Sequence, residues 1–489
     1  MKESSDKDKG EKKVYTVNTF PVQFKLGEIK ENLTININTL SKEKIINKAL
    51  NFHSQGNISE AAKLYQYFIN QGFKDHRVFS NYGIILKDLG QLKEAEILTR
   101  QAIEVNPDYS NSHYNLGIIL KDLGQLKEAE ISYRKAIEIK SDYAEAQYNL
   151  GNLLKDLGKL KEAEISTRKA VEIKPHYAKA HSNLGIILSD LGKLQELILL
   201  SKSTLESSSI NQGYKFLALL RITISNLLLK NFSETLLSIN KTNELINKGA
   251  INSIKDEKNR KNSFAYSRFI TSLYPLLEKD NTHPDLKEIP HLGESHCLSF
   301  AHETLSISSQ IKKIQPVLIT GGKAWHFANN KNNQWKDSLI QQIKNHNSSD
   351  EIFISFGEID CRKEEGILNY AIKNNKDISE VCKKTIKGFL GYMEQILSPS
   401  YSKKYYFGIP APTRSKELLD DLDIKRIEMI KIYNSLLKQE VVFRGCYFLD
   451  VYNLTSTDNG ENNNLYMCDQ VHLSPRCLSI LFKDHLYKT

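Results

Sequence analysis

The chain has 489 residues, enough for two to four domains at about 100–200 residues each. Its 67 Lys and Arg against 58 Asp and Glu leave a net charge of +9, too mild a bias over this length to mark a nucleic-acid binder. A hydrophobic content of 40% excludes wholesale disorder. No uncharged apolar run reaches the roughly 20 residues of a membrane helix, and the best candidate, Tyr214 to Leu229, is interrupted by Arg221.

Residues 1–41 are polar and Lys-rich, and are expected to be disordered or extended, with a short extended piece at Val14–Leu26. The opening MKESSDKDKGEKK alternates charges and lacks the apolar core of a secretory signal, so a cytoplasmic location is expected. The six cysteines (297, 361, 382, 446, 468 and 477) form no CxxC pair and read as reduced thiols.

A repeat occupies 42–211. Gly83, Gly117, Gly151 and Gly185 stand 34 residues apart, as do Gly90, Gly124, Gly158 and Gly192. Ala95, Ala129 and Ala163 keep the same step, and so do Ala102, Ala136 and Ala170. Each unit reads as two helices: helix A up to the Gly90-type turn, then helix B carrying KEAE and the Ala102-type residue. Small residues are needed where paired helices touch. This pattern resembles the tetratricopeptide repeat (TPR) family, in which such pairs stack into a superhelix. The first unit (about 42–75) and the last (from 178) are looser, as suits capping units. Residues 212–283 stay helical in pattern, without the period, and are expected to form a degenerate helical connector.

One column invites a functional reading. Asn81, Asn115, Asn149 and Asn183 stand 34 apart on helix A. In TPR proteins helix A lines the concave groove, so the resemblance implies a ladder of amides there. An amide both donates and accepts, and so can pair with a peptide backbone of any sequence. A similar ladder holds extended protein substrates in the repeat arm of O-linked sugar transferases. Tyr114 and Tyr148, one position earlier, would add stacking contacts or simply pack helix A. The KEAE segments read as a solvated face.

From 284 to 489 short apolar runs alternate with helical ones. Strands are expected at Glu288–Leu292, Pro316–Thr320, Glu351–Phe356, Tyr405–Ile409 and Cys446–Val451. Helices are expected at His296–Ile311, Asn333–Asn345, Asp377–Leu397, Asp423–Glu440 and beyond Pro475. The pattern predicts an α/β/α three-layer, flavodoxin-like domain with a mainly parallel five-stranded sheet. Ligands on such sheets sit beyond the strand carboxyl ends. Polar signals cluster there: Gly293-Glu294-Ser295-His296, then Gly321-Gly322-Lys323, then Gly357-Glu358-Ile359-Asp360-Cys361-Arg362, and finally Asp469-Gln470-Val471-His472.

This order resembles the SGNH (GDSL-like) hydrolase family, in a divergent branch marked by GEIDCR. The resemblance implies Ser295 as nucleophile, His472 as base and Asp469 as the residue orienting the imidazole. It implies a site lined by Gly321, Gly322, Gly357, Glu358, Asp360 and Arg362. The family's Gly-x-Asn-Asp block reads Gly-Glu-Ile-Asp here, and Ile359 cannot donate to an oxyanion as the usual Asn does. Arg362, Lys323 or His326 would replace that donor; alternatively Glu358 and Arg362 form an ion pair beneath the site. Cys468, Asp469 and His472, with Cys361, match no standard zinc spacing, so no metal and no cofactor are expected.

Two functions follow. The first is an ester hydrolase or acyl transferase working on an O-acyl or O-acetyl ester, free or glycan-linked, whose repeat arm recruits a protein or extended peptide. The alternative is a non-catalytic TPR scaffold for protein–protein interaction with a degenerate SGNH-like domain. A nucleotide-sugar transferase is disfavoured, because roughly 200 residues after Pro284 are too few for two domains of that kind and no GxGxxG occurs. Neither a nucleic-acid partner nor a membrane span is expected.

Overall fold

The computed structural model describes residues 41–277, 286–346, 349–363, 365–397, 401–413 and 419–488. The N-terminal segment with Val14–Leu26, and the expected boundary at Pro284, lie outside the described residues. The chain divides into two compact units, 1–73 and 74–489. In the first, α1 (Lys42–Ser54) and α2 (Ile58–Asn70) form a hairpin. It buries Ile45, Ile46 and Ala49 with Ala61, Leu64, Tyr65 and Phe68.

The second unit opens with four helix pairs at the predicted period. They are α3 (His76–Asp88) with α4 (Leu92–Val105), α5 (Ser110–Asp122) with α6 (Leu126–Ile139), α7 (Ala144–Asp156) with α8 (Leu160–Ile173), and α9 (Ala178–Asp190) with α10 (Leu194–Glu206). The repeated small residues let the paired helices approach. The six alanines at 95, 102, 129, 136, 163 and 170 are fully buried. A Cβ on Gly117 would stand 2.6 Å from the Tyr133 ring, and one on Gly151 only 2.3 Å from Thr167 Oγ1. The turn glycines 90, 124, 158 and 192 have φ between 71° and 80°, a left-handed conformation that favours glycine. Outside, Arg100, Arg134 and Arg168 each bond a Glu of their own helix and another 28 residues on (Glu128, Glu162 and Glu196).

Next come α11 (Gln212–Leu228), α12 (Phe232–Asn247) and α13 (Glu257–Leu273). Their apolar residues Leu227, Ile239, Phe269 and Leu273 share one buried cluster with Cys297, Leu298 and Leu318 of the sheet domain.

The sheet has seven strands among the described residues: β1 (Glu288–Gly293), β2 (Thr304–Ile307), β3 (Gln310–Leu318), β4 (Glu351–Ser355), β5 (Lys403–Phe407), β6 (Tyr447–Leu449) and β7 (Leu486–Tyr487), in the order β2-β3-β1-β4-β5-β6-β7. The five central strands are parallel, and β2 and β7 are antiparallel edges. One face packs Leu292, Ile352, Ile354 and Tyr406 against the helices; the other packs Ile289, Phe353, Tyr405 and Phe407. That alternation is the period of two expected of strands covered on both sides. The remaining helices are α14 (Ala324–Ala328), α15 (Gln334–Lys344), α16 (Ile367–Lys373), α17 (Ile378–Leu397), α18 (Asp421–Phe443), α19 (Val451–Thr455) and α20 (Leu478–Asp484).

The sheet thus differs from the expected five-stranded one: it is larger and mixed. The expected helix at His296–Ile311 is the main error. It is a short 3-10 turn (Ser295–Phe300) followed by the β2–β3 hairpin, and β3 begins six residues before the expected Pro316. The hairpin closes through Ser308 and Ser309, both at positive φ (53° and 65°), so a two-residue primed turn is made without the usual Asn or Gly. Nothing in the Ser-Ser text announces it.

Helix α15 locks the sheet domain to the array. Asp337 Oδ2 accepts from Leu160 N at 2.8 Å, satisfying a free amide at the start of α8. Ser338 Oγ donates to Asp190 O at 2.8 Å.

Candidate active site

Three of the four polar segments follow parallel strands of the sheet, and the fourth is brought to the first by a loop. Ser295 opens the 3-10 turn directly after β1 and Glu294. Residues 321–322 follow β3, and 357–362 follow β4. The Asp469–His472 segment is held by a short antiparallel bridge between Met467 and Leu473, and by Thr413 Oγ1 donating to Gln470 O at 2.6 Å.

Within that loop Asp469 Oδ1 accepts from the backbone amides of Val471 (2.7 Å) and His472 (2.6 Å). The carboxylate also faces His472 Nδ1, with Oδ2 at 2.8 Å. A carboxylate only accepts, so Nδ1 carries the hydrogen and Nε2 presents its lone pair. Ser295 Oγ lies 2.8 Å from that Nε2 and donates to it. Burial pushes the Asp469 carboxyl up, but the His472 hydrogen bond and the two amides outweigh it and hold it below the usual range. The serine, imidazole and carboxylate therefore form a connected relay across 177 residues of chain.

Access is narrow: Ser295 is 5% exposed and His472 9%. Phe269 of α13 stacks on the His472 ring, centroids 3.6 Å apart and planes 16° apart. Tyr266, one turn earlier, packs in the same apolar cluster as Phe269 and Cys297. The sequence reading missed both residues. Their i, i+3 aromatic spacing was visible, but only the docking of α13 shows which domain that face covers.

A cavity of about 20 Å³, room for one water-sized group, adjoins these segments. Its walls include Glu294, His296 and Leu473, chain neighbours of Ser295 and His472, together with Glu358. Arg362 grips the Glu358 carboxylate with Nε at 2.9 Å and Nη2 at 2.7 Å. Burial raises the Glu358 carboxyl, and this guanidinium reverses the shift to below the usual range. The ion-pair alternative for these two residues is the observed arrangement. Burial, with Glu358 adding to it, pushes Glu294 well above the usual carboxylate range. His296 Nε2 donates to Val471 O at 3.1 Å, and burial lowers its pKa to about 4.

Glu294, His296 and Glu358 bring ligand atoms within 4.8 Å of one another. However, Arg362 already balances Glu358, and a proton suffices for Glu294, so the cluster does not demand a cation. Cys361 lies in the core cluster packed on the other elements of the sheet domain. Cys468 Sγ donates to His472 O at 3.4 Å. Burial raises both thiols, Cys468 to about 12, so neither is poised as a nucleophile or ligand.

The remaining expected site residues serve the frame. Asp360 is fully buried and caps α14, accepting from Ala324 N (2.7 Å) and Trp325 N (3.1 Å). Burial raises its pKa to about 6 against those two bonds. Gly322 abuts Phe356 and Ile319, while Gly321 turns at φ 68°. Gly357 sits at φ 125°, where a Cβ would meet Tyr433 Oη at 2.8 Å. Ile359 is buried.

In the array, three of the four asparagines of the column are engaged between helices. Asn115 Nδ2 donates to Ser80 Oγ at 3.0 Å, and Asn149 Nδ2 to Tyr114 Oη at 2.9 Å. Asn81 donates to Arg77 O within its own helix (2.9 Å), and the buried Asn183 reaches Thr167 Oγ1 at 3.5 Å. Asn115, Asn149 and Asn183 thus tie neighbouring helices, whereas the Asn81 bond stays within α3. The Tyr114 ring lies 4.9 Å from Tyr143, and Tyr148 lies 5.1 Å from Tyr177. Those contacts are packing between units.

The paired helices, the period and the small-residue contacts define the repeat region as a tetratricopeptide-repeat array. Models described as TPR or tetratricopeptide repeats match residues 76–109, 98–131, 117–158 and 144–177. Among solved structures, YrrB, described as a TPR protein with an unusual peptide-binding site, is 19% identical. That match covers 42% of this chain and 99% of that one, at a TM-score of 0.35. MamA 41-end from Desulfovibrio magneticus RS-1 is 22% identical and matches over 30% of this chain and 83% of its own, at a TM-score of 0.28. No curated protein matches the chain. No helix among the described residues is long and apolar enough to cross a membrane.

Proposed function

We propose that the chain is a protein-docking TPR array joined to a serine-dependent acyl-ester hydrolase or acyl transferase of SGNH-like ancestry. The division is an array over 42–211, a connector over 212–283 and a site domain over 284–489, in a cytoplasmic setting. The observation that carries the catalytic half is the 2.8 Å approach of His472 Nε2 to Ser295 Oγ, with Asp469 on the far nitrogen.

In this reading His472 takes the Ser295 proton as Oγ attacks the acyl carbon. The imidazolium then returns that proton to the departing alkoxide oxygen, leaving an acyl-serine. Water, or an acceptor hydroxyl, repeats the cycle in reverse, so hydrolysis and transfer differ only in the second nucleophile. The Ser295 amide at the opening of its turn and the Gly321 amide serve the oxyanion; the Gly322 amide is already given to Ile319 O at 3.0 Å. Ile359 supplies no side-chain donor, and loss of one such donor typically costs about 10²–10³ in rate. Turnover is therefore slow on unactivated esters.

The second reading is a TPR scaffold whose sheet domain binds without reacting. Three observations favour it: the Phe269 cover over His472, the Ile359 replacement, and family models that match within residues 76–177 of the array. Protein binding by the array is common to both readings. A fluorophosphonate probe followed by mass spectrometry separates them. The hydrolase reading expects modification at Ser295 and loss of p-nitrophenyl acetate turnover in Ser295→Ala. An unlabelled serine, with identical background turnover in both proteins, leaves only the scaffold.

A further inference from the structure

Arg362, Lys323 and His326, the candidates to replace the donor that Ile359 lacks, are all engaged elsewhere. Arg362 spends Nε and Nη2 on Glu358. Lys323 Nζ donates to Glu365 Oε2 at 3.0 Å. His326 Nδ1 accepts from Lys323 N at 3.2 Å, and its ring lies flat on Trp335 with centroids 3.4 Å apart. None of these bonds involves Ser295.

The side chain that does reach the serine comes from the connector. Tyr266 lies on α13 three residues before Phe269, so the two rings share one face of the helix. Phe269 stacks on His472, and Tyr266 packs against the cluster that holds Phe269, Cys297 and Leu298. Cys297 is two residues from the nucleophile. A hydrogen bond joins the Tyr266 and Ser295 side chains. Burial, with the nearby Glu294 carboxyl adding to it, outweighs that bond and pushes the phenol well above its usual range. Tyr266 is therefore neutral and keeps its hydrogen at physiological pH. Ser295 Oγ gives its own hydrogen to His472 Nε2, so towards the phenol it accepts.

Attack changes what the phenol can bond. As Oγ joins the acyl carbon, its electron pair enters the new bond, and negative charge gathers on the carbonyl oxygen two bonds away. The phenol then has a stronger acceptor within reach, on the side of Oγ that His472 leaves free. A donor already aimed at the place where charge develops needs no reorganisation.

We propose that Tyr266 is a catalytic residue that donates to the oxyanion in place of the missing asparagine. The proposal rests on the serine-hydrolase reading above. The phenol gives up no proton: the bond formed is Oγ to the acyl carbon, the bond broken frees the leaving alkoxide, and the proton passes from Ser295 through His472 to that alkoxide. The slow turnover implied by Ile359 alone is then the turnover of a protein without this hydroxyl.

The test compares the full chain with Tyr266→Phe on two substrates, p-nitrophenyl acetate and its thiono analogue, in which sulfur replaces the carbonyl oxygen. Sulfur is the weaker acceptor, so loss of an oxyanion donor slows the oxo ester far more than the thiono ester. Tyr266→Phe is expected to lower kcat on the oxo ester by about 10²–10³, with little change in KM, and to shrink the oxo-to-thiono ratio of kcat/KM by about tenfold or more. That ratio does not depend on how much of the variant is folded, and a purely structural role of the ring would not move it. An unchanged ratio, whether both rates fall or neither does, overturns the proposal and leaves Ser295 as nucleophile. Should both esters react no faster with the unaltered chain than with Ser295→Ala, the hydrolase reading fails, and the role of Tyr266 fails with it.

Discussion

In the array, contacts recur at fixed sequence distances. A glycine meets the side chain 16 residues on, and an outer arginine meets the glutamate 28 residues on. In the sheet domain the decisive contacts happen once and span the chain: Ser295 to His472, and His291 Nε2 to Ser355 Oγ at 2.9 Å across 64 residues. A repeat therefore tolerates a weak link, because each unit is supported mainly by its neighbours. The site domain has no duplicate of any of its parts. The two regions should respond to the same kind of damage in different ways.

The sharpest break in that comparison is Asp469→Asn. The amide keeps the shape of the loop but lets the imidazole adopt the wrong tautomer. In the hydrolase reading, turnover of p-nitrophenyl acetate falls by about 10³–10⁴, with little change in melting temperature; unaltered kinetics would remove Asp469 from the relay. Asn149→Ala, in the array, should leave that turnover untouched.

A second contrast concerns buried charge at the junction. Burial, opposed by Lys155 and reinforced by Asp337, pushes Asp190 up to about 7 from 3.8. Folding thus favours its protonated form. The stabilisation is complete below about pH 4 and is lost as pH rises through about 7, up to about 4 kcal/mol in all. Asp190→Asn should therefore flatten the melting temperature between those limits and stabilise the protein above pH 7. Equal pH profiles for both proteins would show that Asp190 titrates normally.

Matched glycines give the next test. Gly117→Ala drives a methyl into the Tyr133 ring and should cost about 1–3 kcal/mol, read by urea unfolding, with ester turnover preserved. Gly293→Ala meets Ser355 Oγ at 2.3 Å and Ser355 O at 2.9 Å, two residues from the serine. It should cost a similar amount and also lower turnover. If both variants lost stability alone, the site would be less dependent on the β1–β4 register than this geometry requires.

The smallest effect belongs to the outer ladder. Arg134→Ala removes exposed pairs to Glu130 and Glu162 and should change stability by less than about 1 kcal/mol. A larger loss would mean that the ladder acts as one network rather than as separate pairs.

The array was legible because its information is local and repeated. Gly90 and its equivalents mark every turn, and the alanines mark every helix contact. Of the sheet domain, the positions of β1, β4, β5 and β6 were readable to within a few residues from their apolar runs. The β2–β3 hairpin was not, because Ser308 and Ser309 carry no turn signal and the apolar spacing before them fits a helix as well. The residues around the serine were legible as four motifs at strand ends. Yet Asp360 caps α14, a role that spacing alone does not assign, and the Glu358–Arg362 pair was one of two readings that the spacing left open.

The sequence by itself determined the helix pairs, their 34-residue step, and the candidate serine, histidine and aspartate, because residue type and local period are written along the chain. Only the tertiary structure decided that α13 lays Phe269 on His472, that Asp337 caps α8, and that Arg221 fills the space beside Gly185. Each of these depends on how a helix face meets a surface far away in the chain, and periodicity names the apolar face without naming what it covers.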